Sequence, residues 1–294
     1  MTWENYYMPS SIEEALSLLD KHQGEARLIA GGTDLMVQHK SEPIEAKALI
    51  DIGGIPDLKK IHEENGRVYV GAAATHSQVV SSPLLKEKGR VLVDAAKAVG
   101  ALQIRNVGTI AGNVVTAQPA ADTAIALVAL DACVHIQSGS EKLEKPVLDT
   151  FLGPGKSSIN PSKELITAFS YPTPTSLERT GFIRFARRDS LALPLVNLGF
   201  WLILKEDQKT VKEIRIAVGP MSTVPFRARE TEASMKDVQI SEEELEKAGL
   251  VIAEEVTPRD SFRGSADFKK YLIGVALKRA IKVVLDGKGV DWDD

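Results

Sequence analysis

The sequence predicts an α+β protein with two domains. Its 294 residues, 44% hydrophobic and 26% charged, can bury a sizeable core and match the usual length of about two domains. In the C-terminal part, strand-like runs precede helical ones, which indicates an antiparallel sheet with helices on one face. Two close prolines in YPTPTS (171–176) interrupt both helices and strand ladders. We therefore place a boundary near Thr175, between domains 1–174 and 175–294.

The first hundred residues predict short strands alternating with helices. Ser11 and Glu14 form a capping box before an amphipathic helix. The run RLIA (27–30) predicts a strand that ends in a glycine turn, with Thr33 or Asp34 as the N-cap of the next helix. Further on, the patterns predict strands at 48–52 and 67–73, a short helix capped by Thr75, and a helix at 91–99 closed by Gly100.

The remaining elements follow from similar patterns. Residues 104–132 predict irregular chain followed by a helix that Pro119 and Asp122 begin. Strands are expected at 132–138 and 164–170, with a loop at 151–162 between them. In the second domain we expect strands at 182–187, 195–204 and 211–218, a helix capped by Ser241, and a helix at 266–285.

Composition excludes several classes of function. The net charge is -4 and Lys and Arg form no basic run, so nucleic acid is not an expected partner. The five histidines are scattered and predict no metal site. The single cysteine, Cys133, allows neither an internal disulfide nor an iron–sulfur cluster held by this chain alone. No secretory signal or membrane span is evident, which favours a cytoplasmic location.

Two familiar nucleotide motifs are absent. LGPGKSS resembles a phosphate-binding P-loop, but Thr150 stands where the pattern needs glycine, and the segment neither follows a clear strand nor opens a helix. No GxGxxG occurs, which disfavours an ordinary NAD-dependent dehydrogenase.

Two other glycine loops have similar compositions, because each combines glycine with Thr or Asn side chains that hydrogen-bond oxygen. Each alone is a plausible structural turn, and together they could clamp a pyrophosphate through backbone N–H groups. The first loop comprises Ile29, Ala30, Gly31, Gly32, Thr33, Asp34, Leu35 and Met36, and the second comprises Gly108, Thr109, Ile110, Ala111, Gly112 and Asn113.

Two charged features accompany these loops. Asp122 lies in the first turn of an apolar helix, where a carboxylate either complements the helix dipole, or accepts hydrogen bonds from nucleotide hydroxyls, or does both. Arg184, Arg187 and Arg188 cluster beside an apolar strand. A solvated strand edge or interdomain ion pairs would explain that cluster, and a contact to a flavin carbonyl or an acidic partner is the alternative.

The N-terminal part resembles the FAD-binding domain of the molybdenum hydroxylases, the group with xanthine dehydrogenase and carbon monoxide dehydrogenase. The resemblance is carried by IAGGTDLM (29–36), followed later by IRNVGTIAGNVVTAQPAAD (104–122). FIRFARRDS and VKEIRIAVGPMSTVPFRA resemble the domain that follows it in those flavin subunits. The resemblance implies a two-subdomain fold shared distantly with vanillyl-alcohol oxidase, with subdomains at about 1–56 and 57–174. A C-terminal α+β domain with a small antiparallel sheet and helices would follow.

The resemblance also implies one non-covalently bound FAD and roles for particular residues. The first loop would wrap the pyrophosphate, the second would add phosphate contacts, and Asp122 would bind cofactor hydroxyls. Ile166 matches an apolar contact, and Arg184 stands where the family has a lysine near the flavin. Ala111 replaces the first glycine of the family's pair. We expect binding to survive both replacements, whereas the flavin potential and any NAD interaction could change.

By the same resemblance, the chain works as one subunit of a heteromeric dehydrogenase. A large subunit would carry molybdopterin, a small subunit would carry [2Fe-2S] clusters, and NAD+ or another acceptor would take the electrons. The motifs contain no candidate acid–base pair, so we assign no catalytic residue. A self-sufficient FAD-dependent oxidase or dehydrogenase and a flavin-free scaffold subunit are the alternatives.

Overall fold

A small parallel sheet forms the start of the chain. The computed structural model describes residues 3–188 and 190–286. The first elements are β1 (Asn5–Tyr7), α1 (Ile12–His22), β2 (Ala26–Ile29), α2 (Leu35–Ser41) and β3 (Ala48–Asp51). The strands are parallel in the order β1-β3-β2, so their carboxyl ends, and the glycine turns after β2 and β3, lie at one edge.

Helix α1 begins as its sequence predicts, with one difference in its cap. The Ser11 hydroxyl accepts a hydrogen bond from the backbone N–H of Glu14. The Glu14 carboxylate, however, accepts from the backbone and hydroxyl of Ser10 instead of from the backbone of Ser11. Leu16 and Leu19 are buried, which fixes the helix against the sheet.

An antiparallel sheet of five strands, in the order β4-β5-β10-β6-β7, forms the middle of the molecule. One face is apolar and carries Val68, Val70, Val134 and Phe169 in the core, as the alternation along the strands dictates. The elements of this region are β4 (Ile61–Glu64), β5 (Arg67–Gly71), α3 (His76–Ser81), α4 (Pro83–Lys88), α5 (Arg90–Ala98), α6 (Leu102–Val107), α7 (Ile110–Val115), α8 (Asp122–Ala129), β6 (Cys133–Ser138), β7 (Glu141–Pro146), β8 (Phe151–Gly153), β9 (Lys156–Ser157) and β10 (Leu165–Pro172).

The C-terminal half is built on a second antiparallel sheet, in the order β11-β12-β13-β14. Helix α11 packs against β11 and β12, α9 packs against β13, and α10 packs on both α9 and α11. The elements are β11 (Glu178–Phe185), β12 (Val196–Leu204), β13 (Val211–Gly219), β14 (Phe226–Arg227), α9 (Arg229–Met235), α10 (Glu242–Glu255) and α11 (Ala266–Leu285).

The opposite face of this sheet joins the two halves. Helices α5 and α8 of the N-terminal half pack against β11, β12 and β13. Gly199 makes this approach close, because a Cβ there would lie 3.3 Å from the side chains of Ala129 and Val91. Since β12 is covered on both faces, its sequence VNLGFWLIL is a continuous apolar run instead of an alternating one.

The α+β fold class is confirmed, and several local expectations are wrong. Residues 102–107 and 110–115 form short helices where irregular chain was expected, and the predicted loop at 151–162 contains the hairpin β8-β9. Strand β7 and helix α9 had no clear pattern. Strand β10 extends beyond its predicted end at Ser170 and ends at Pro172, whose lack of an N–H group suits the end of a strand. The last eight residues of the predicted domain 175–294 lie outside the described residues.

Within residues 3–188 and 190–286, no helix is long and apolar enough to cross a membrane.

Candidate functional site

The first glycine loop leaves the carboxyl end of β2 and enters α2. Gly32 has φ +67°, in the left-handed region that favours glycine. Asp34 occupies the N-cap position, as expected, but its side chain makes no capping hydrogen bond. Thr33 is half-buried, whereas Asp34 and Met36 are exposed. The loop therefore keeps polar groups accessible at the sheet edge.

The second loop is held by backbone and side-chain hydrogen bonds at the start of α7. The Thr109 hydroxyl accepts from the N–H of Gly112 at 3.1 Å and caps the helix. The N–H groups of Ile110 and Ala111 donate to carbonyls of the segment after β5. The Ala111 methyl is buried in the core and Gly112 is exposed, so the replacement of a family glycine by Ala111 leaves the outer face of the loop free of a side chain.

The two loops lie directly against each other. A Cβ on Gly31 would stand 2.0 Å from the carbonyl oxygen of Val107 and 2.9 Å from the Cα of Gly108. Real Cβ atoms essentially never approach other heavy atoms within 3.0 Å, so the contact requires glycine at position 31. The structure thus joins two segments that are more than seventy residues apart in the sequence into one surface.

Asn113 connects the second loop to the start of α8. Its side-chain oxygen accepts from the hydroxyl of Thr123 at 2.7 Å and from the N–H of Ala124 at 3.2 Å. The amide nitrogen of Asn113 therefore remains available as a donor. Through this connection, the loop and Asp122 occupy fixed positions relative to each other.

Asp122 lies at the contact between the two halves. Its residue is 6% exposed, and its carboxylate oxygen Oδ1 accepts from the side-chain amide of Asn197 at 2.7 Å. Arg184 Nε lies 3.5 Å from the same oxygen, which is an ion pair without a hydrogen bond. Burial raises the pKa of Asp122 to about 6, and Arg184 and Asn197 oppose that rise.

Arg184 lies on β11 directly opposite Asn197 on β12. Its Nη2 donates to the backbone carbonyl of Ala192 in the segment that connects these strands. Arg184 Nε and Asn197 Oδ1 are buried and make no hydrogen bond within the described part of the chain. A buried polar atom without a hydrogen bond is costly in a protein interior, and the ion pair with Asp122 offsets that cost for Arg184 Nε but not for Asn197 Oδ1.

Ile166 occupies a different position from the loops. It lies on β10 opposite Ile136, is 4% exposed, and its side chain belongs to the apolar core. The backbone next to it touches the site, because the carbonyl of Thr167 accepts from the N–H of Ala72 in the segment that also holds the second loop. The structure therefore places Ile166 behind the site.

The neighbours of Arg184 in the predicted cluster have structural roles. Arg187 donates to the carbonyl of Phe262, and Arg188 donates to the carbonyl of Leu191. Within this cluster, Arg184 makes an ion pair between the halves, with Asp122 as its partner. No group of three or more His, Cys, Asp or Glu side chains within the described ranges could hold a metal ion.

Sequence reasoning missed two residues of this region. Asn197 lies in an apolar run and carries no motif. His76 follows the predicted cap Thr75, is 2% exposed, and lies against Gly108, whose carbonyl accepts from the His76 N–H. Burial, and secondarily Arg105, lowers the pKa of His76 to about 4, so its imidazole is neutral near pH 7. The signal in the sequence for His76 was its position directly after the predicted helix cap Thr75.

The chain matches two family models that together cover nearly all of it. Residues 2–174 match the FAD binding domain in molybdopterin dehydrogenase, and residues 182–284 match the CO dehydrogenase flavoprotein C-terminal domain. The chain therefore belongs to the family of FAD-binding subunits of molybdopterin dehydrogenases. Its cofactor is FAD, and it is an oxidoreductase subunit.

Particular relatives match nearly the whole chain. It is 28% identical over 288 residues to the xanthine dehydrogenase FAD-binding subunit of Escherichia coli O157:H7, with 97% of each chain covered. It is 26% identical to the carbon monoxide dehydrogenase medium chain of Hydrogenophaga pseudoflava, covering 94% of this chain and 95% of that one. A solved structure of carbon monoxide dehydrogenase from Hydrogenophaga pseudoflava has a TM-score of 0.88 at 26% identity, covering 97% of this chain and 98% of that chain.

Proposed function

We propose that this chain is the electron-transfer subunit of a molybdenum-containing hydroxylase or dehydrogenase, which takes electrons from the [2Fe-2S] clusters of a partner subunit and passes them to NAD+ or another acceptor. The observation that carries this proposal is the junction of the two glycine loops beside Asp122, Arg184 and Asn197. Bound FAD supplies the chemistry, because a flavin exchanges electrons with both one-electron and two-electron carriers.

The first loop, Ile29–Met36, is our candidate for binding the FAD pyrophosphate. The contact between Gly31 and Val107 supports this assignment, because it brings the second loop, Gly108–Asn113, alongside to add phosphate contacts. Gly31 and Gly32 let main-chain N–H groups of the first loop approach an anion without interference from side chains, and the exposed Gly112 keeps the second loop free of a side chain at that point. The free amide nitrogen of Asn113 is a further donor on this surface.

Asp122 is our candidate for binding the cofactor hydroxyls. A carboxylate accepts hydrogen bonds from hydroxyl groups most strongly when it is ionised and held in position. Arg184 favours the charged form, and its ion pair with Asp122 restricts where the carboxylate can lie. Asn197 Oδ1, which has no hydrogen-bond partner within the described ranges, lies beside this carboxylate as a further acceptor.

We assign Arg184 a second role as the positive charge near the flavin ring, and Ile166 the role of an apolar support behind it. Arg184 is buried and anchored to the Ala192 carbonyl, which restricts where its guanidinium can lie. A guanidinium is planar and spreads its charge over a fork of donors, unlike the lysine ammonium of the family pattern. It would therefore bind a ring carbonyl in a more fixed direction.

The partners that we propose are a molybdenum-cofactor large subunit and an iron–sulfur small subunit. A single cysteine cannot hold the four-thiolate set of an iron–sulfur cluster, so the clusters that donate electrons to the flavin lie on another chain. One relative named above is an FAD-binding subunit and another is a medium chain, and both names support a protein of several subunits. We also propose that the FAD is bound non-covalently, that the domain boundary lies near Thr175, and that the assembly works in the cytoplasm.

The test is the absorption spectrum of the purified chain after FAD is added and unbound FAD is removed, followed by acid treatment. A flavin spectrum, with intact FAD in the acid supernatant, is the expected result. Flavin that stays with the precipitated protein would contradict non-covalent binding. A colourless chain that leaves added FAD free would overturn the FAD assignment and favour a scaffold subunit. Turnover of small alcohols by the chain alone would favour a self-sufficient oxidase or dehydrogenase.

A further inference from the structure

Asn197 occupies a central position between the two halves of the molecule. It is fully buried on β12, opposite Arg184 on β11 and opposite Gly219 on β13. Its side-chain nitrogen donates to Asp122 Oδ1 at 2.7 Å and to the carbonyl of Ala120 at 3.3 Å. One amide thus binds both a buried carboxylate and the backbone of the turn that precedes α8.

The turn itself is held closely by the C-terminal sheet. A Cβ on Gly219 would lie 2.3 Å from the carbonyl oxygen of Pro119 and 2.7 Å from Asn197 Oδ1. The turn therefore packs directly on the backbone of β13, beside the Asn197 side chain. The position of Asp122, which is the first residue of α8, depends on this contact from the C-terminal half.

Among the residues that the structure describes, the Asp122 carboxylate accepts a side-chain hydrogen bond from Asn197. Arg184 Nε lies 3.5 Å from it and makes an ion pair without a hydrogen bond. Two other charged groups near α8 are engaged elsewhere. Asp94 on α5 pairs with Arg90, and Arg227 on β14 pairs with Glu232 and with Asp131, the second residue after α8. Arg184 and Asn197 are therefore the two groups that favour an ionised Asp122.

We propose that Asn197 is a positioning residue of the FAD site, which holds the Asp122 carboxylate and the turn before α8 in the arrangement that binds the cofactor hydroxyls. This inference rests on the proposed role of Asp122. It adds that a second residue of the C-terminal sheet, besides Arg184, acts on FAD binding, and that it does so through Asp122.

Removing the amide has two consequences for the carboxylate. Asp122 loses a donor in a buried place, so its protonated form, which is a poorer acceptor for cofactor hydroxyls, becomes more favourable. The carbonyl of Ala120 also loses a partner, which loosens the turn. A hydrogen bond to a charged group is worth enough that its loss should weaken FAD affinity about tenfold to a hundredfold.

The experiment measures FAD dissociation constants between pH 5 and 8, by quenching of flavin fluorescence, for wild type, Asn197→Leu, Asn197→Asp and Asp122→Asn. Asn197→Leu should weaken binding by the factor given above at pH 7. Asn197→Asp places a second carboxyl beside Asp122, so the pH at which affinity is half lost should rise by about one unit or more. Wild-type affinity and an unmoved pH midpoint in both variants would overturn the proposal.

A double variant separates positioning from a general structural effect. If Asn197 acts through Asp122, adding Asn197→Leu to Asp122→Asn should change the dissociation constant by less than about twofold. Full additivity of the two effects would contradict the proposal. Thr231→Val is a matched control, because Thr231 is also fully buried and its hydroxyl bonds Glu255 within the C-terminal half. Thr231→Val should lower the melting temperature without changing FAD affinity.

The same measurements separate this inference from the proposed function. If wild type binds no FAD, the proposed function fails. If wild type binds FAD and Asp122→Asn weakens binding while the Asn197 variants bind as wild type does, the function stands and only the role of Asn197 is wrong.

Discussion

Replacing Gly31 with alanine should separate the two glycine loops and weaken FAD binding. The added Cβ would lie 2.0 Å from the carbonyl oxygen of Val107, and that oxygen belongs to the backbone, which cannot rotate away as a side chain can. A Cβ needs at least 3.0 Å, so one loop must move by about 1 Å relative to the other.

The magnitude follows from the cost of overpacking. Inserting a methyl group where there is no space typically costs about 1–3 kcal/mol, and sometimes more. Because FAD is proposed to contact both loops at once, that cost falls on the arrangement that binds the cofactor. Since about 1.4 kcal/mol corresponds to a factor of ten, the FAD dissociation constant should rise about tenfold to a hundredfold.

The matched control is Gly54→Ala, in the second glycine pair, which follows β3 at the same sheet edge. A Cβ on Gly54 meets no heavy atom within 4 Å. Neither Gly31 nor Gly54 has a positive φ, so alanine strains neither backbone conformation and the two substitutions differ mainly in the space available. Gly54→Ala should leave FAD affinity within about twofold of wild type and change the free energy of unfolding by no more than about 1 kcal/mol.

The assay is flavin fluorescence titration of both variants, with circular dichroism and urea unfolding to show that each chain is folded. Wild-type affinity in a folded Gly31→Ala variant would refute the reasoning, because the loops would then tolerate separation. Equal losses in Gly31→Ala and Gly54→Ala would also refute it, since a loss of glycine anywhere at this edge would explain them.

Three further outcomes are expected. FAD affinity of wild type should fall as pH drops through about 6, because protonation of Asp122 removes the acceptor for hydroxyls, and Asp122→Asn should bind weakly with a flat pH profile in the same titration. Arg184→Ala should lower the free energy of unfolding in urea by about 3–5 kcal/mol, because it leaves Asp122 buried without its countercharge. Arg184→Lys keeps the charge and should lose less than half of that stability. Equal losses in the two variants would contradict the ion pair. The pKa of His76 is lowered to about 4, so between pH 6.5 and pH 4 its imidazole is neutral in the folded chain and protonated in the unfolded chain. Its contribution to stability is therefore present above pH 6.5 and is lost as the pH falls toward 4. Relative to His76→Gln, the free energy of unfolding of wild type should therefore fall by about 1.4 kcal/mol per pH unit over that window; a constant difference would show that His76 is not buried in its neutral form.

Local patterns predicted the elements whose apolar period is long or whose ends carry caps. Ser11 and Ser241 begin α1 and α10 as expected, and the long helix α11 lies where its pattern predicts. Helices α6 and α7 were not predicted, because each has six residues, which is under two turns and too short for a helical period to show. Thr109 did carry a cap signal for α7, but the glycine beside it was read as part of a loop.

The sequence by itself determined the family, the two glycine loops and the presence of a carboxylate at the start of α8, because each is a short run of residue types with its own chemistry. The tertiary structure decided which of these groups meet. Gly31 reaches Val107, and Asn197 reaches Asp122 across 75 positions of the chain. Such contacts depend on how separate sheets and helices pack, and Asn197 within an apolar strand shows no local pattern that would reveal its partner. The resemblance already placed Arg184 of the second domain near the flavin, and the packing of α8 against the second sheet showed which groups it meets there.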